Sequence, residues 1–242
     1  MRLEYATVSE IGNRETNEDR IAACRQEEKS LFAVCDGLGG HGLGDEAASV
    51  VAGTFREEFE KAGELSDFLG RTFTAAQEAL QTEQGRRHAL KKMKTTAAVL
   101  AADRKNAYIG HVGDSRVYVF RHDRVKCRTL DHSIPQMLAL SGEIKESEIR
   151  NHPDRNVVLR VMGVEWEKPM YELMAPIPLK KCQAFLLCSD GFWELIDEKE
   201  MCRLLKQTTS ALDWVKSMTA VVEEAGKGRD MDNYSAIAVR CV

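Results

Sequence analysis

The sequence predicts an α+β fold in which antiparallel sheets and helices form layers. Two observations lead to this class. Strand-like segments occur in clusters joined by short polar turns, whereas parallel neighbours would need a crossover of about a dozen residues. Helix-like segments occur in consecutive pairs between the clusters, unlike the single helix that follows each strand in a βαβ repeat. Because no linker or repeat interrupts the 242 residues, we expect one domain spanning residues 1–242.

The N-terminal half contains strand-like segments followed by two helices. Segments 5–8, 19–24 and 31–35 have the apolar character of strands. Two later stretches have the spacing of a buried helix face, with apolar residues at Ala47, Val51, Phe55 and Phe59, and then at Leu69, Phe73, Ala76 and Leu80.

A second strand cluster and a second helix pair follow. Segments 96–102, 107–112, 116–121 and 124–129 read as strands, with polar tips at 103–106 and 122–123. Such short connections favour an antiparallel meander. Residues 133–156 are polar and helix-like, 183–188 read as a strand, 197–206 and 211–225 as helices, and 234–241 as the last strand.

Composition excludes several classes of protein. The chain is 43% hydrophobic and 30% charged, which is ordinary for a globular protein. Its longest apolar run, 97–102, is far shorter than a membrane span, and no apolar leader precedes it. A net charge of −4 argues against nucleic acid as a partner. The seven cysteines form no CxxC pair, which favours reduced thiols and a cytoplasmic location.

Four aspartates stand at predicted strand ends. Asp36 and Asp190 each end an apolar run and precede glycine, Asp114 follows a third run, and Asp232 lies just before the last strand. Rigidly held carboxylates that converge repel one another unless a cation lies between them, and Mg²⁺ and Mn²⁺ prefer oxygen ligands. The alternative is that each aspartate only makes a turn, because Asp-Gly and Asp-Asn are common turn dipeptides.

Two further segments could serve an anion or metal site. Residues 37–44, GLGGHGLG, contain five glycines between a strand and a helix, so their backbone could approach an ion or phosphate closely. Their spacing is a weak dinucleotide fingerprint. Residues 14–19, RETNED, place Arg14 beside three acids. That segment is either a solvated turn or a phosphate clamp next to a metal cluster.

Seven motifs in order make the chain resemble the bacterial branch of the metal-dependent protein phosphatases, the type 2C serine/threonine phosphatases. They are Arg14-x-x-Asn17-Glu18-Asp19, Asp36-Gly37-Leu38-Gly39-Gly40-His41, Gly113-Asp114-Ser115-Arg116, Leu130-Asp131-His132-Ser133, Asn156-x-x-Leu159-Arg160-x-x-Gly163, Ser189-Asp190-Gly191 and Asp232-Asn233. The matches span residues 14–235. The chain departs from the family pattern at Lys94, where glycine is usual before Thr95-Thr96, and at Leu159, where threonine is common.

The resemblance implies a four-layer sandwich of two antiparallel sheets with helices on both outer faces, and a mobile flap around 133–160. It implies two Mn²⁺ or Mg²⁺ ions and a possible third, weaker one. Asp36 would bridge the two ions, the Gly37 carbonyl would bind one of them, and Asp190 and Asp232 would hold the other. Glu18 and Asp19 would fix metal-bound waters, and Asp114 would hold the third ion. Arg14 would bind phosphate. His41 is a candidate proton donor, with a metal-bound water as the alternative.

The implied function is hydrolysis of phosphoserine and phosphothreonine in proteins by a metal-bridging water or hydroxide. The expected substrates are those of a bacterial serine/threonine kinase, and we expect a cytoplasmic monomer in signal transduction, with neither nucleic acid nor membrane as a partner. One alternative is a catalytically silent phosphoprotein-binding module of the same fold. Another narrows the substrate to a regulator in a sigma-factor partner switch.

Overall fold

A computed structural model describes residues 2–38, 43–90 and 92–242. Its strands are β1 (Leu3–Glu10), β2 (Arg20–Gln26), β3 (Lys29–Cys35), β4 (Gly37–Leu38), β5 (Lys94–Thr95), β6 (Ala97–Ala102), β7 (Asn106–Val112), β8 (Arg116–Arg121), β9 (Arg124–Arg128), β10 (Glu172–Leu173), β11 (Ile177–Pro178), β12 (Ala184–Cys188) and β13 (Tyr234–Cys241). Its α-helices are α1 (Gly44–Lys61), α2 (Phe68–Arg86), α3 (Ile134–Ser141), α4 (Asp190–Trp193), α5 (Glu198–Gln207) and α6 (Ala211–Gly226). None of the described helices combines the length and apolar character that crossing a membrane requires.

The strands form two large antiparallel sheets. One has the order β1-β13-β12-β8-β9, and the other has the order β10-β7-β6-β3-β2, with β11 also beside β7. Helices α1 and α2 pack on the second sheet, and α5 and α6 pack on the outer side of the first. The predicted α+β class and four-layer sandwich are therefore confirmed.

Side-chain alternation along the strands builds the three buried layers. In β3, Phe32 and Val34 pack between the sheets, whereas Leu31 packs under the first helix pair. In β12, Phe185 faces the opposite sheet and Leu186 faces the second helix pair. Successive side chains of a strand point to opposite faces, so a strand covered on both sides must be apolar at every position. This explains the continuous apolar runs in the sequence.

The helix assignments follow from the same burial. All the residues of the two predicted apolar faces are buried, from Ala47 in α1 to Leu80 in α2. The last two helices begin at side-chain caps. Asp197 accepts a hydrogen bond from the Glu200 amide at 2.8 Å, and Ser210 accepts one from the Asp213 amide at 3.0 Å. These caps satisfy amides that the first helical turn leaves without partners.

The expectation of one four-strand meander is wrong at its middle. Strands β6 and β7 form one hairpin and β8 and β9 form another, but the two hairpins belong to different sheets. Gly113 adopts a positive φ of 100° at the crossing, a conformation that favours glycine. The tip of the second hairpin also has positive φ, at His122 and Asp123, as type I′ turns require.

Residues 133–160 fold around helix α3. Gly142, with a φ of 82°, ends this helix, and a 3₁₀ turn follows at Glu146–Asn151. A bridge between Ser133 and Val158 ties the two ends of the segment together. The mobility expected of this segment stays a prediction.

Candidate active site

The two sheets bring acidic side chains to one cleft at the same end of the sandwich. Asp36 follows β3 and Asp114 follows β7, both in one sheet. In the other sheet, Asp190 comes shortly after β12 and Asp232 shortly before β13. The cleft has a volume of about 460 Å³, and its lining includes Arg14, Glu18, Asp36, Gly37, Asp114, Asp190 and Asp232. Of the predicted site residues that the structure describes, all except Asp19 therefore lie at this cleft.

Backbone contacts fix Asp36 in place. Its amide donates to the Thr96 hydroxyl at 3.1 Å, and its carbonyl accepts from the Thr95 hydroxyl at 2.8 Å and from the Thr96 amide at 2.8 Å. A side chain on the next residue, Gly37, would meet the backbone of Gly44 at 2.3 Å. Glycine is required here by this close approach. The sequence motif containing Thr95 and Thr96 therefore positions a candidate ligand, a role that sequence reasoning missed.

The carboxylates raise one another's pKa. Burial, followed by the charges of Asp19 and Asp190, holds the pKa of Asp36 well above its ordinary value. Burial and then the charge of Asp114 do the same to the pKa of Asp190. Burial, with Asp131 next in importance, raises the pKa of Asp114 to about 7. Like charges held together in a buried site favour protonation or a bound cation, so these residues fit a divalent metal.

Asp19 lies behind the cleft rather than on its surface. Its side chain is buried, and Oδ2 accepts a hydrogen bond from the Ser189 hydroxyl at 2.8 Å. Among the described residues Oδ1 is buried without a hydrogen-bond partner, and burial raises the pKa of Asp19 to about 6. A buried carboxylate oxygen without a partner is costly. It also fits the indirect, water-mediated role that the resemblance implies.

The acidic groups spread around the cleft rather than surrounding one point. Within the described part of the chain, no three of these carboxylates have oxygens that all lie within 4.8 Å of one another. Among the described residues, the group that meets this distance is His111, His132 and Glu172.

Arg14 contacts a candidate metal ligand directly. Its Nε donates to Asp232 Oδ1 at 3.0 Å and its Nη2 to Oδ2 at 3.1 Å. Both side chains are 45% exposed at the mouth of the cleft. In this structure the guanidinium therefore neutralises the carboxylate that the sequence assigned to a metal, and the phosphate-binding role of Arg14 stays a prediction.

Asn233, just before the last strand, holds residues 11–18 in place beside the cleft. Its side-chain oxygen accepts from the Glu18 amide at 2.8 Å, and its side-chain nitrogen donates to the carbonyls of Ile11 and Thr16 at 2.8 and 3.0 Å. These bonds hold Glu18 next to Asp232. His41, the candidate proton donor, lies outside the described residues together with Gly39, Gly40 and Gly42.

Fold and cleft together define a class of protein: a four-layer sandwich in which each sheet contributes acids to one cleft that fits divalent ions. The chain belongs to the protein phosphatase 2C family, whose sequence model matches residues 8–226. The resemblance stated from the motifs is thereby confirmed.

Several relatives are similar over most of their length. The serine/threonine phosphatase stp of Listeria innocua is 30% identical over 200 residues, which are 80% of this chain and 79% of that protein. The structure of the serine/threonine phosphatase Stp1 from Staphylococcus aureus has a TM-score of 0.90 at 26% identity, covering 100% of this chain and 96% of that one. The structure of PppA from Pseudomonas aeruginosa has a TM-score of 0.82 at 29% identity, covering 100% and 99%.

Proposed function

We propose that this protein is a divalent-metal-dependent phosphatase that hydrolyses phosphoserine and phosphothreonine in other proteins. One observation carries the proposal. Asp36 from one sheet and Asp190 from the other face a common cleft, where burial and neighbouring carboxylates hold the pKa of each well above its ordinary value. Membership of the protein phosphatase 2C family supports the same conclusion.

Asp36, the Gly37 carbonyl, Asp190 and Asp232 would hold two Mn²⁺ or Mg²⁺ ions. Glu18 and Asp19 would hold waters of these ions, and Asp114 would hold a weaker third ion. Bound in pairs, such ions supply hydroxide near neutral pH and neutralise charge on phosphoryl oxygens. Support comes from a structure with the same fold, the catalytic domain of PstP in complex with two manganese ions, which is 23% identical with a TM-score of 0.81.

Arg14 would bind the phosphate dianion at the mouth of the cleft. A guanidinium offers two parallel N–H donors in a plane that matches two phosphoryl oxygens. The pair with Asp232 already uses two such donors, Nε and Nη2, on the two oxygens of one carboxylate. His41 or a metal-bound water would protonate the departing serine or threonine oxygen, and both candidates stay open.

The substrates would be proteins phosphorylated by a bacterial serine/threonine kinase. We further propose that the protein acts as a monomer in the cytoplasm. The relatives from Listeria innocua and Staphylococcus aureus are called serine/threonine phosphatases. The presence of all four strand-end aspartates favours an active enzyme over a silent phosphoprotein-binding module.

The test measures hydrolysis of p-nitrophenyl phosphate and of a phosphothreonine peptide, with and without Mn²⁺ and EDTA. We expect turnover only with added Mn²⁺ or Mg²⁺, because the site is built from oxygen ligands. Ca²⁺ also prefers oxygen, but we expect it to support little turnover because its coordination is longer and less strictly octahedral. Asp36→Asn is the inactive variant. Asp67→Asn is the matched control, since Asp67 is exposed and its side chain caps no amide. Full turnover after thorough chelation would refute the metal mechanism. Tight phosphopeptide binding without turnover would favour the binding module.

A further inference from the structure

Two stacked histidines and a glutamate lie behind the Gly113–Asp114 turn. His111 in β7 is paired in register with Glu172 in β10. His132, which follows β9, stacks on His111 with ring centroids 4.5 Å apart. Both histidines are buried, whereas the Glu172 side chain is 51% exposed. Nothing in the proposed reaction uses these three residues.

Hydrogen bonds fix the position of the proton on each ring. His111 Nε2 lies 2.7 Å from the Leu130 carbonyl, which can only accept, so Nε2 carries the proton. His132 Nδ1 accepts from the Gly113 amide at 3.1 Å, so the proton of this neutral ring is on Nε2. That Nε2 faces Glu172 Oε1 at 3.3 Å. A polar contact between Glu172 and His132 and a hydrogen bond from the Gly113 amide to His132 thus link the three residues.

The same atoms argue against a metal ion between these residues. A cation would need the lone pair of His132 Nε2, and the proton would then move to Nδ1, where it would oppose the Gly113 amide. The Arg160 guanidinium also supplies positive charge, since its Nη1 lies 2.8 Å from Glu172 Oε1 and 3.5 Å from His132 Nε2. The contacts among Glu172, His132, Arg160 and the Gly113 amide need no ion, although they leave His111 Nδ1 without a hydrogen-bond partner among the described residues. A cation bound to His132 Nε2 would break the bond to Gly113 and face the like charge of Arg160.

The contacts that begin at Glu172 and pass through His132 end at Gly113, next to the cleft. The amide of Gly113 donates to His132 Nδ1, and its carbonyl accepts from the His132 backbone amide at 2.9 Å. With φ at +100°, a side chain here would come within 2.5 Å of Thr96 Cγ2. His132 therefore bonds both backbone polar groups of Gly113, a position whose positive φ and close contact with Thr96 favour glycine. The next residue is Asp114.

We propose that Glu172 and His132 are positioning residues that orient Asp114 toward the metal site. Glu172 keeps the proton on His132 Nε2, which leaves Nδ1 to hold the Gly113 amide and the turn that presents Asp114. Arg160 belongs to the segment that closes the predicted flap, and it also contacts Glu172. The contacts through Glu172 and His132 therefore link that segment to Asp114. The inference rests on the proposed function for its consequence, but its geometry can be measured without activity.

The test uses substitutions of Glu172 and of His132. Glu172→Ala removes the acceptor, and Glu172→Gln keeps a carbonyl oxygen in its place. Glu167→Ala is the matched control, because Glu167 is exposed in the preceding loop. His132→Asn retains an acceptor near the position of Nδ1, whereas His132→Gln retains only a donor near that of Nε2. Readouts are the ¹⁵N tautomer signature of His132, hydrogen exchange of the Gly113 amide in metal-free protein, and calorimetric titration with Mn²⁺.

In Glu172→Ala we expect Gly113 exchange to become about tenfold faster and the weakest Mn²⁺ binding to weaken about tenfold, the effect of one lost hydrogen bond. Glu172→Gln and His132→Asn should stay near wild type, and His132→Gln should resemble Glu172→Ala. Unchanged Gly113 exchange in Glu172→Ala would overturn the proposal. So would tight Zn²⁺ binding that is lost in the His132 variants, since it would identify a metal site. If the wild type lacks activity while the exchange data behave as expected, the proposed function fails and the positioning role of Glu172 and His132 stands.

Discussion

Replacing Arg14 by alanine separates substrate binding from metal binding. In the structure this guanidinium forms two hydrogen bonds to Asp232, at 3.0 and 3.1 Å, and both side chains are 45% exposed. Exposed pairs of this kind contribute about 0.2–1 kcal/mol. The substitution should therefore change the free energy of unfolding by less than about 1 kcal/mol.

The effect on phosphate should be larger. A charge-assisted contact to the dianion is worth about 1.5–3 kcal/mol, or about ten- to hundredfold in kcat/KM. Because the contact exists in the ground state and the transition state alike, most of the change should appear in KM. Arg14→Lys should recover part of it, since an ammonium lacks the planar fork.

Mn²⁺ affinity should move the other way. Without Arg14, Asp232 no longer has to release a partner before it binds a cation. The pair energy of up to about 1 kcal/mol corresponds to at most about fivefold tighter binding.

The assay combines p-nitrophenyl phosphate kinetics at saturating Mn²⁺ with calorimetric titration of the metal-free protein. Arg71→Ala is the control, because Arg71 is exposed on α2. A wild-type KM together with weakened Mn²⁺ binding would refute the reasoning. Arg14 would then support the acidic cluster rather than contact the substrate.

Three further outcomes are expected. Asp36→Asn should lower kcat by several orders of magnitude without lowering the thermal midpoint of metal-free protein, because it removes a repelling charge. If the variant kept more than about a tenth of wild-type kcat, about 1.4 kcal/mol of barrier, Asp36 would not have the proposed role. The pKa values of Asp19 (about 6) and Asp114 (about 7) are raised, so the folded state binds more protons than the unfolded state, and metal-free protein should lose stability as pH rises from about 5 to 8. A thermal midpoint that rises over this range would contradict these raised pKa values. Asp131→Asn should lower the free energy of unfolding in urea by about 3–5 kcal/mol, because it removes the charged partner of buried Arg116, which is hydrogen-bonded at 2.6 and 2.8 Å. A decrease below about 1 kcal/mol would show that the guanidinium forms an ion pair with another residue.

Much of the fold could be predicted from local pattern. The fourfold apolar spacing predicted α1 and α2, because a helix buried on one side must repeat near 3.6 residues. The continuous apolar runs predicted β3 and β12, because both faces of these strands are covered. Strands of two residues, such as β4 and β10, have too little pattern to detect and exist only through their pairing partners.

The sheet to which each strand belongs could not be predicted in the same way. The link between β7 and β8 is as short as a hairpin turn, yet Gly113 directs the chain across the core into the other sheet. That outcome depends on packing between the sheets rather than on local sequence.

The candidate site shows the same division. Strand-end aspartates were visible because each follows or precedes an apolar run. The pair between Arg14 and Asp232, and the burial of Asp19 behind Ser189, join residues about 170 to 218 positions apart. No spacing in one sequence encodes such contacts.

The pairing of β1 with β13 has a consequence for biosynthesis. Within the described part of the chain, residues 3–10 pair only with residues 234–241, so a strand made early must wait for one made more than 220 residues later. Contacts of such long separation slow folding. Asp232 and Asn233 lie in the same late segment, and Asn233 is the residue that ties the Glu18 loop into place. The cleft of a ribosome-bound chain is therefore incomplete until residues 232–241 have left the exit tunnel. Phosphate hydrolysis cannot begin while the residues before 232 are being translated.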